Sequence, residues 1–338
     1  MVIVKQKKKR RLKKKVKIVL AIIVVFVIAL VWITTAKKEQ DATKTNTKMN
    51  TESQQVATES EKNSEKVSEK GTEVEVSEQE EEVEKGDEVD KMTDAGQALM
   101  DETLELNATY PGNIGFVLLN KATNEKIEVN ADTVFTSASL YKLYVTYAVL
   151  TEVDKGNLAL ETTINDQTMA TIDDYLRETI TVSSNQTAIA LANRLGWDVI
   201  EKFVQENGFS ETTFNTSNEN GIILRGTLQT TPGNVADLLN RLMEGTLLSK
   251  TSTDYFMGLL ADQQLVYALN TGLSDDVSFA HKTGVLDSVS HDAGIITDSD
   301  GQDYIVVVMS DGWTYAYDEA TPFFIEMGQS IMDYLSAQ

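Results

Sequence analysis

The stretch Phe135-Thr-Ser-Ala-Ser-Leu-Tyr-Lys-Leu-Tyr-Val-Thr-Tyr-Ala-Val-Leu150 decides the fold. Between Asp132 and Glu152 the only charged residue is Lys142. Leu140, Leu143, Tyr144, Val145, Tyr147, Ala148, Val149 and Leu150 surround it. A helix apolar on nearly every side is a buried core helix. A lysine inside it is costly unless its ammonium is satisfied or its proton removed. Ser139 lies three residues earlier, one turn away on the same face. A hydroxyl beside a partly desolvated amine suggests an activated nucleophile. A bland alternative fits the same residues: Ser139 caps the helix and Lys142 snorkels to water. Ser-x-x-Lys is short and common, so other parts of the chain must decide.

The chain has 338 residues, enough for one large domain with extras or for two domains. Its formal charge of −22 is unevenly spread. Residues 1–17 carry ten Lys or Arg and no acid, residues 18–35 carry no charge, and residues 95–338 carry −23. So acidic a domain repels nucleic acid and anionic lipid alike. Cysteine is absent, which excludes disulfides, thiolate metal sites and a lipidated cysteine.

Residues 18–35 form an apolar run rich in Val, Ile and Leu, just long enough to cross a hydrocarbon core. The basic block before it predicts a cytoplasmic N-terminus, hence a single-pass transmembrane anchor with the rest outside. The alternative is a signal peptide cut near Ala36, after which the protein is secreted. Residues 36–94 have no aromatic residue and are dominated by Thr, Ser, Lys, Glu and Gln. Ser-Glu-Lys recurs at 60–62, 64–66 and 68–70. Such a segment buries too little apolar surface to offset its ordering entropy, so it reads as a disordered tether. Its end-to-end distance would average roughly 40–45 Å. Fully stretched it would reach about 200 Å, the depth of a cell wall.

The folded region reads as residues 95–338. Apolar periodicity and turn residues predict helices over 97–106, 139–150, 172–180, 187–195, 199–204, 233–243, 253–261 and 322–335. Strands are expected over 114–119, 126–129, 277–280, 293–297 and 304–309. Residues 207–231 are polar, without sustained period, and read as a long surface loop. Strands at both ends with helices between give an α+β domain: one antiparallel sheet built from both ends, plus a helical lobe.

Two further polar clusters stand out, Ser183-Ser184-Asn185 and Lys282-Thr283-Gly284. Each alone reads as a helix cap or a strand end. Together with Ser139 and Lys142, in this order, they are specific. Here the chain resembles the penicillin-recognising serine hydrolases, most closely the class A β-lactamase-like family, whose motifs are Ser-x-x-Lys, Ser-x-Asn and Lys-Thr-Gly. Phe135-Thr-Ser-Ala before the serine and His291-Asp-Ala-Gly294 after Lys-Thr-Gly agree. The resemblance covers residues 95–338. With the anchor and tether it implies a membrane-anchored Gram-positive type.

Acyl transfer needs a nucleophile, a proton acceptor, an oxyanion site and a proton donor for the departing nitrogen. Ser139 is the expected nucleophile and Lys142 the base, if burial and a nearby Lys282 depress its pKa. The resemblance places Ser183 between the two lysines as the proton relay. It implies that Asn185 holds the substrate's side-chain amide and that Lys282 and Thr283 bind its carboxylate. Gly284 would let the substrate backbone lie close to the strand. The amides of Ser139 and Val285 would form the oxyanion hole. His281 and His291 read as structural, since no Gly-x-Ser-x-Gly elbow exists. Neither a metal site nor a cofactor is implied.

One part of the pattern is missing. A class A β-lactamase needs a glutamate in a long loop before a Thr-Thr-Pro-like segment, to activate the deacylating water. Thr230-Thr-Pro232 is present, but the expected Glu-x-x-x-Asn arrangement is not. Glu211 and Glu219 are the only acids of that loop after Glu206, and both read as solvated. Three functions stay open: a hydrolase that opens β-lactams, a penicillin-binding wall enzyme acting on D-alanyl peptides of peptidoglycan, and a wall-facing domain with little turnover. A monomer is the default expectation.

Overall fold

The computed structural model describes residues 92–338 apart from 166, 220 and 221. The basic segment, the anchor and nearly all of the tether lie outside the described residues. Residues 92–94, read as tether, belong to the domain: Met92 packs on its core and Thr93 caps the first helix.

In chain order the elements are α1 (Asp94–Thr109), β1 (Ile114–Asn120), β2 (Lys126–Val129) and β3 (Phe135–Thr136). A 3-10 turn (Ala138–Leu140) then leads into α2 (Tyr141–Asp154). β4 (Thr163–Asn165), β5 (Ala170–Thr171), α3 (Ile172–Thr181), α4 (Asn185–Leu195) and α5 (Trp197–Glu206) follow. After them come β6 (Ser217–Glu219), β7 (Ile222–Leu224), β8 (Gln229–Thr230), α6 (Pro232–Met243) and α7 (Lys250–Ala261). A second 3-10 turn (Ala268–Thr271) precedes β9 (Ser278–Leu286), β10 (Val289–Thr297), β11 (Asp303–Ser310), α8 (Ala316–Glu319) and α9 (Thr321–Ser336).

The sheet runs β2-β1-β11-β10-β9, every pair antiparallel, so strands from both ends of the domain do share one sheet. Its two faces feed two cores, as period-two alternation requires. On β11, Ile305, Val307 and Met309 join the helical-lobe core, whereas Tyr304, Val306 and Val308 join the core under α1 and α9. Helix α2 is buried from Tyr141 through Leu150 without a break, Lys142 included. Each such apolar side chain contributes about 1.5–3 kcal/mol on burial. It is therefore the wall between the sheet and the helical lobe.

The segment 207–231 is only in part the surface loop its polarity suggests: residues 222–227 are exposed, but its two phenylalanines are not. Phe209 and Phe214 are fully buried. Phe209 meets the Tyr144 ring edge-on at 5.6 Å, and Phe214 meets Trp197 at 5.5 Å. The Glu201 carboxylate accepts from Phe214 N at 2.8 Å and Thr216 N at 3.2 Å. Thr230 Oγ1 lies 2.8 Å from Thr212 Oγ1 and 2.9 Å from the Tyr144 hydroxyl. β8 pairs with β3, just ahead of Ser139. Two aromatic anchors and a hydroxyl chain thus root the segment against α2. Strand β9 is also longer than its apolar run, because Lys282-Thr283-Gly284 lies inside the strand.

Candidate active site

Ser139 sits in the 3-10 turn ahead of α2, not in the α-helix itself. The turn is held from both sides. Ser137 N donates to Leu228 O at 2.9 Å, and His291 Nε2 bonds Thr136 O at 2.8 Å. Ala138 has φ +44°, a left-handed conformation that costs a residue with a Cβ about 1–3 kcal/mol and persists only where the surroundings impose it. Ser183, in the turn between α3 and α4, has φ +56°. That turn is fixed by Ser184 N donating to Glu178 O at 3.0 Å, while Gln263 Nε2 donates to Ile180 O at 3.0 Å. Both strained residues lie at or beside the reacting groups.

Lys142 Nζ reaches Ser139 Oγ at 2.9 Å, Ser183 Oγ at 2.9 Å, Ser183 O at 2.6 Å and Asn185 Oδ1 at 2.8 Å. Four oxygens converge on a group that carries three protons when charged and two when neutral. Burial lowers its pKa from 10.5 to about 8. On the other side, Lys282 Nζ donates to Ser183 Oγ at 2.9 Å and to Thr283 O at 2.8 Å. Its pKa is pulled well below the usual lysine range, first by burial and then by the Lys142 charge, with Asp292 opposing. The snorkelling alternative for Lys142 is excluded by this enclosure.

The structure brings Ser139, Lys142, Ser183, Asn185 and Lys282 into one hydrogen-bonded cluster. Asn185 remains exposed, with its amide nitrogen outside the Lys142 contact. Gly284 faces the same side, against the turn that carries Ser139. A Cβ there would stand 3.2 Å from Ser139 N and 3.3 Å from Ala138 Cβ, so the glycine admits the Ser139 turn itself. This contact puts the Ser139 amide beside Gly284, one residue from Val285. Thr283 does not join the cluster. Strand alternation turns it to the opposite face, where it is fully buried and its Oγ1 has no hydrogen-bond partner.

Neither histidine contacts Ser139. His281 Nδ1 lies 2.7 Å from Asp292 Oδ1, both are buried, and Phe279 stacks on the imidazole at 4.3 Å. His291 is fixed between Thr136 O and Ser310 N. Glu211 and Glu219 are exposed, and Glu211 accepts from the Ser210 hydroxyl at 2.6 Å. Sequence reading missed the His281–Asp292 pair, although His281 directly precedes Lys282. It also missed the bond from Lys142 to Asn185, which the shared Ser-x-Asn spacing could have suggested.

Residues 98–335 match the model of a β-lactamase enzyme family. The β-lactamase VEB-1 of Pseudomonas aeruginosa is 26% identical over 222 residues, covering 56% of this chain and 74% of that protein. Among solved structures, PBP-A superposes with a TM-score of 0.64 at 23% identity, over 73% of this chain and 97% of that one. A mutant of PBP-A, solved as its acyl-enzyme complex with penicillin G, superposes equally well over 72% and 97%. An ancestral class A β-lactamase gives 0.62 at 23% identity, over 70% and 99%. At these identities the structural likeness shows the fold alone; the family rests on the match over most of the chain. By that match, and with Ser139, Lys142, Ser183, Asn185 and Lys282 gathered in one cluster, the chain belongs to the β-lactamase enzyme family.

Proposed function

We propose that this protein is a serine acyl hydrolase that opens β-lactams through a covalent adduct on Ser139. The observation that carries the reading is that one buried amine, Lys142 Nζ, stands 2.9 Å from both Ser139 Oγ and Ser183 Oγ. A pKa of about 8 leaves a usable neutral fraction of that amine near pH 7. In the step proposed, Ser139 Oγ bonds the lactam carbonyl carbon while its proton passes to neutral Lys142. The C–N bond then breaks. The departing nitrogen takes the Ser183 hydroxyl proton, and Lys142 returns a proton to Ser183. The amides of Ser139 and Val285 would hold the oxyanion, where losing one such donor costs about 100- to 1000-fold in rate. Asn185 and Lys282 would orient the substrate.

A second reading is favoured by one observation. No acid of the 207–231 segment bonds to Ser139 or Lys142 among the described residues, so nothing in the place of the expected glutamate supports deacylation. On that reading the protein is a penicillin-binding wall enzyme, acting on D-alanyl peptides of peptidoglycan, or a slow-turnover binding domain. The apolar run and polar tether ahead of the domain support a place outside the membrane, on the wall side. The test is to mix the full-length protein with labelled penicillin and follow the adduct by mass. A short-lived adduct with turnover supports the hydrolase, and a persistent one the wall enzyme. Absence of any adduct, with no difference in Ser139→Ala, would sink both.

A further inference from the structure

Residues 95–338 carry a net charge of −23, so a cation in this domain rarely lacks a carboxylate nearby. Outside the Ser139 cluster every described lysine is ion-paired, and so are Arg177 and Arg241. Arg194 sits in the last turn of α4, where the helix dipole favours a cation. Arg225, directly after β7, is different: among the described residues it forms no ion pair. Its guanidinium lies instead over the Trp197 indole, 4.4 Å from the ring centroid. Glu201, one turn along α5 from Trp197, does not serve it, because that carboxylate accepts from Phe214 N and Thr216 N. A planar guanidinium resting on an aromatic face keeps its edge N–H donors available for a carboxylate. Arg225 is exposed, so those donors face solvent.

This cation stands beside the reacting cluster by two routes. Through the rings, Trp197 meets Tyr141 with centroids 5.9 Å apart, and the Tyr141 ring lies 5.7 Å from Lys142 Nζ. Through the backbone, Leu228 O, shortly after Arg225, accepts from Ser137 N at 2.9 Å, just ahead of Ser139. The Arg225 charge is also felt at the Tyr141 hydroxyl, where it opposes the upward push of burial. Lys142 Nζ holds Asn185 Oδ1 at 2.8 Å as well, so Asn185 and the Tyr141–Trp197 pair flank one amine. On the acyl-transfer reading Ser183 and Lys282 take the side of the departing nitrogen. The acyl arm of a substrate then passes Asn185, and a long arm arrives at Arg225.

We propose that Arg225, seated on Trp197, is a specificity-determining residue that grips a carboxylate at the far end of the substrate's acyl arm. The favoured substrates are then amides whose acyl chain ends in an acid, as in an acidic peptide. That carboxylate lies across the breaking bond from the group expected at Lys282. The inference rests on the acyl-transfer reading for the direction of the arm, but its test needs no acylation. In full-length Ser139→Ala protein, calorimetry compares two penicillins of matched shape. One carries an adipoyl side chain ending in a carboxylate, the other the same chain ending in a primary amide. The acid binds more tightly than the amide, by about tenfold or more, as paired hydrogen bonds between charged groups imply. Arg225→Gln removes most of that preference and leaves the affinity for the amide unchanged within about twofold. A merely structural arginine would alter both ligands alike. Equal affinity for the two penicillins, no binding of either, an equal loss for both, or a preference that survives Arg225→Gln overturns the proposal. The benzylpenicillin adduct on Ser139 in the unaltered protein is a separate outcome and judges only the acyl-transfer reading.

Discussion

Lys142 and Lys282 share one acceptor, the Ser183 Oγ, each at 2.9 Å. A hydroxyl oxygen has two lone pairs, and two amines occupy both. The Ser183 proton is thereby left to point elsewhere, toward whatever nitrogen departs from a substrate on Ser139. The arrangement also places two cationic groups about one small oxygen in a dry setting, which favours loss of a proton from one of them.

The pH dependence follows from the sign of that effect. Burial lowers Lys142 to about 8, so below that pH the amine is mostly charged and cannot take the Ser139 proton. Acylation by penicillin should rise with pH and level off above about 8. Lys142→Arg, which cannot lose its proton, should abolish the rise and slow acylation by about 100-fold or more. A flat wild-type profile from pH 6 to 9, read from single-turnover adduct formation, would count against Lys142 as base.

Removing the shared acceptor tests the relay. Ser183→Ala leaves the two lysines facing each other with no hydroxyl between them. Acylation by an amide or lactam should fall about 100- to 10,000-fold, the range for loss of a general acid or base. A thioester or phenyl ester, whose leaving group needs no proton, should lose far less. Equal losses with both kinds of substrate would remove Ser183 from the proton path.

The close fit of β9 on the nucleophile's turn gives a third expectation. At Gly284 a methyl group would press on Ser139 N at 3.2 Å and Ala138 Cβ at 3.3 Å. The turn must give by a few tenths of an ångström, and Ala138 is already strained there. Gly284→Ala should cost about 1–3 kcal/mol of stability as overpacking does. It should also slow acylation by about tenfold or more through misplacement of Ser139. Urea denaturation and adduct kinetics on the same variant check both halves.

Much of this was legible in the residues. The unbroken apolar surround of Lys142 predicted a buried helix, and alternating or continuous apolar runs located all five strands of the main sheet. What escaped notice had physical reasons. Phe209 and Phe214 are isolated aromatics in a polar segment, so they carry no period, and their burial depends on α2 and α5. The left-handed Ala138 and Ser183 are imposed by tertiary contacts that no local propensity records. The facing of Thr283 away from Lys282 was available in principle, because adjacent strand residues point to opposite faces. Family resemblance drew the two together as a carboxylate site, and the geometry separates their side chains.

Deacylation supplies a negative prediction. Glu211 and Glu219 are exposed and make no bond to the Ser139 cluster. Glu211→Gln and Glu219→Gln should each leave the lifetime of the penicillin adduct unchanged within about twofold, as expected for surface substitutions. A clear lengthening of that lifetime in either variant, followed by intact-protein mass, would identify the missing base and move the balance to the hydrolase.

Acid stability depends on a different buried group. His291 is enclosed, with Ser310 N donating to Nδ1 at 3.2 Å and Nε2 donating to Thr136 O at 2.8 Å. Those two bonds specify a neutral imidazole. Burial lowers its pKa from 6.5 to about 4, with the Thr136 contact opposing. Between these values the unfolded chain binds a proton that the folded protein does not, so stability falls as pH drops from 6.5 toward 4. The loss from this one group is about 3 kcal/mol. Protonation at Nδ1 would break the bond it accepts from Ser310 N, and so disturb the residue that also holds Thr136 ahead of Ser139. Urea midpoints at pH 7.5, 6.5, 5.5 and 4.5 should show a decline in the wild type. His291→Gln should begin less stable, having lost fitted bonds, but decline less steeply by about that amount. Parallel curves for the two proteins would show that His291 does not set the acid limit.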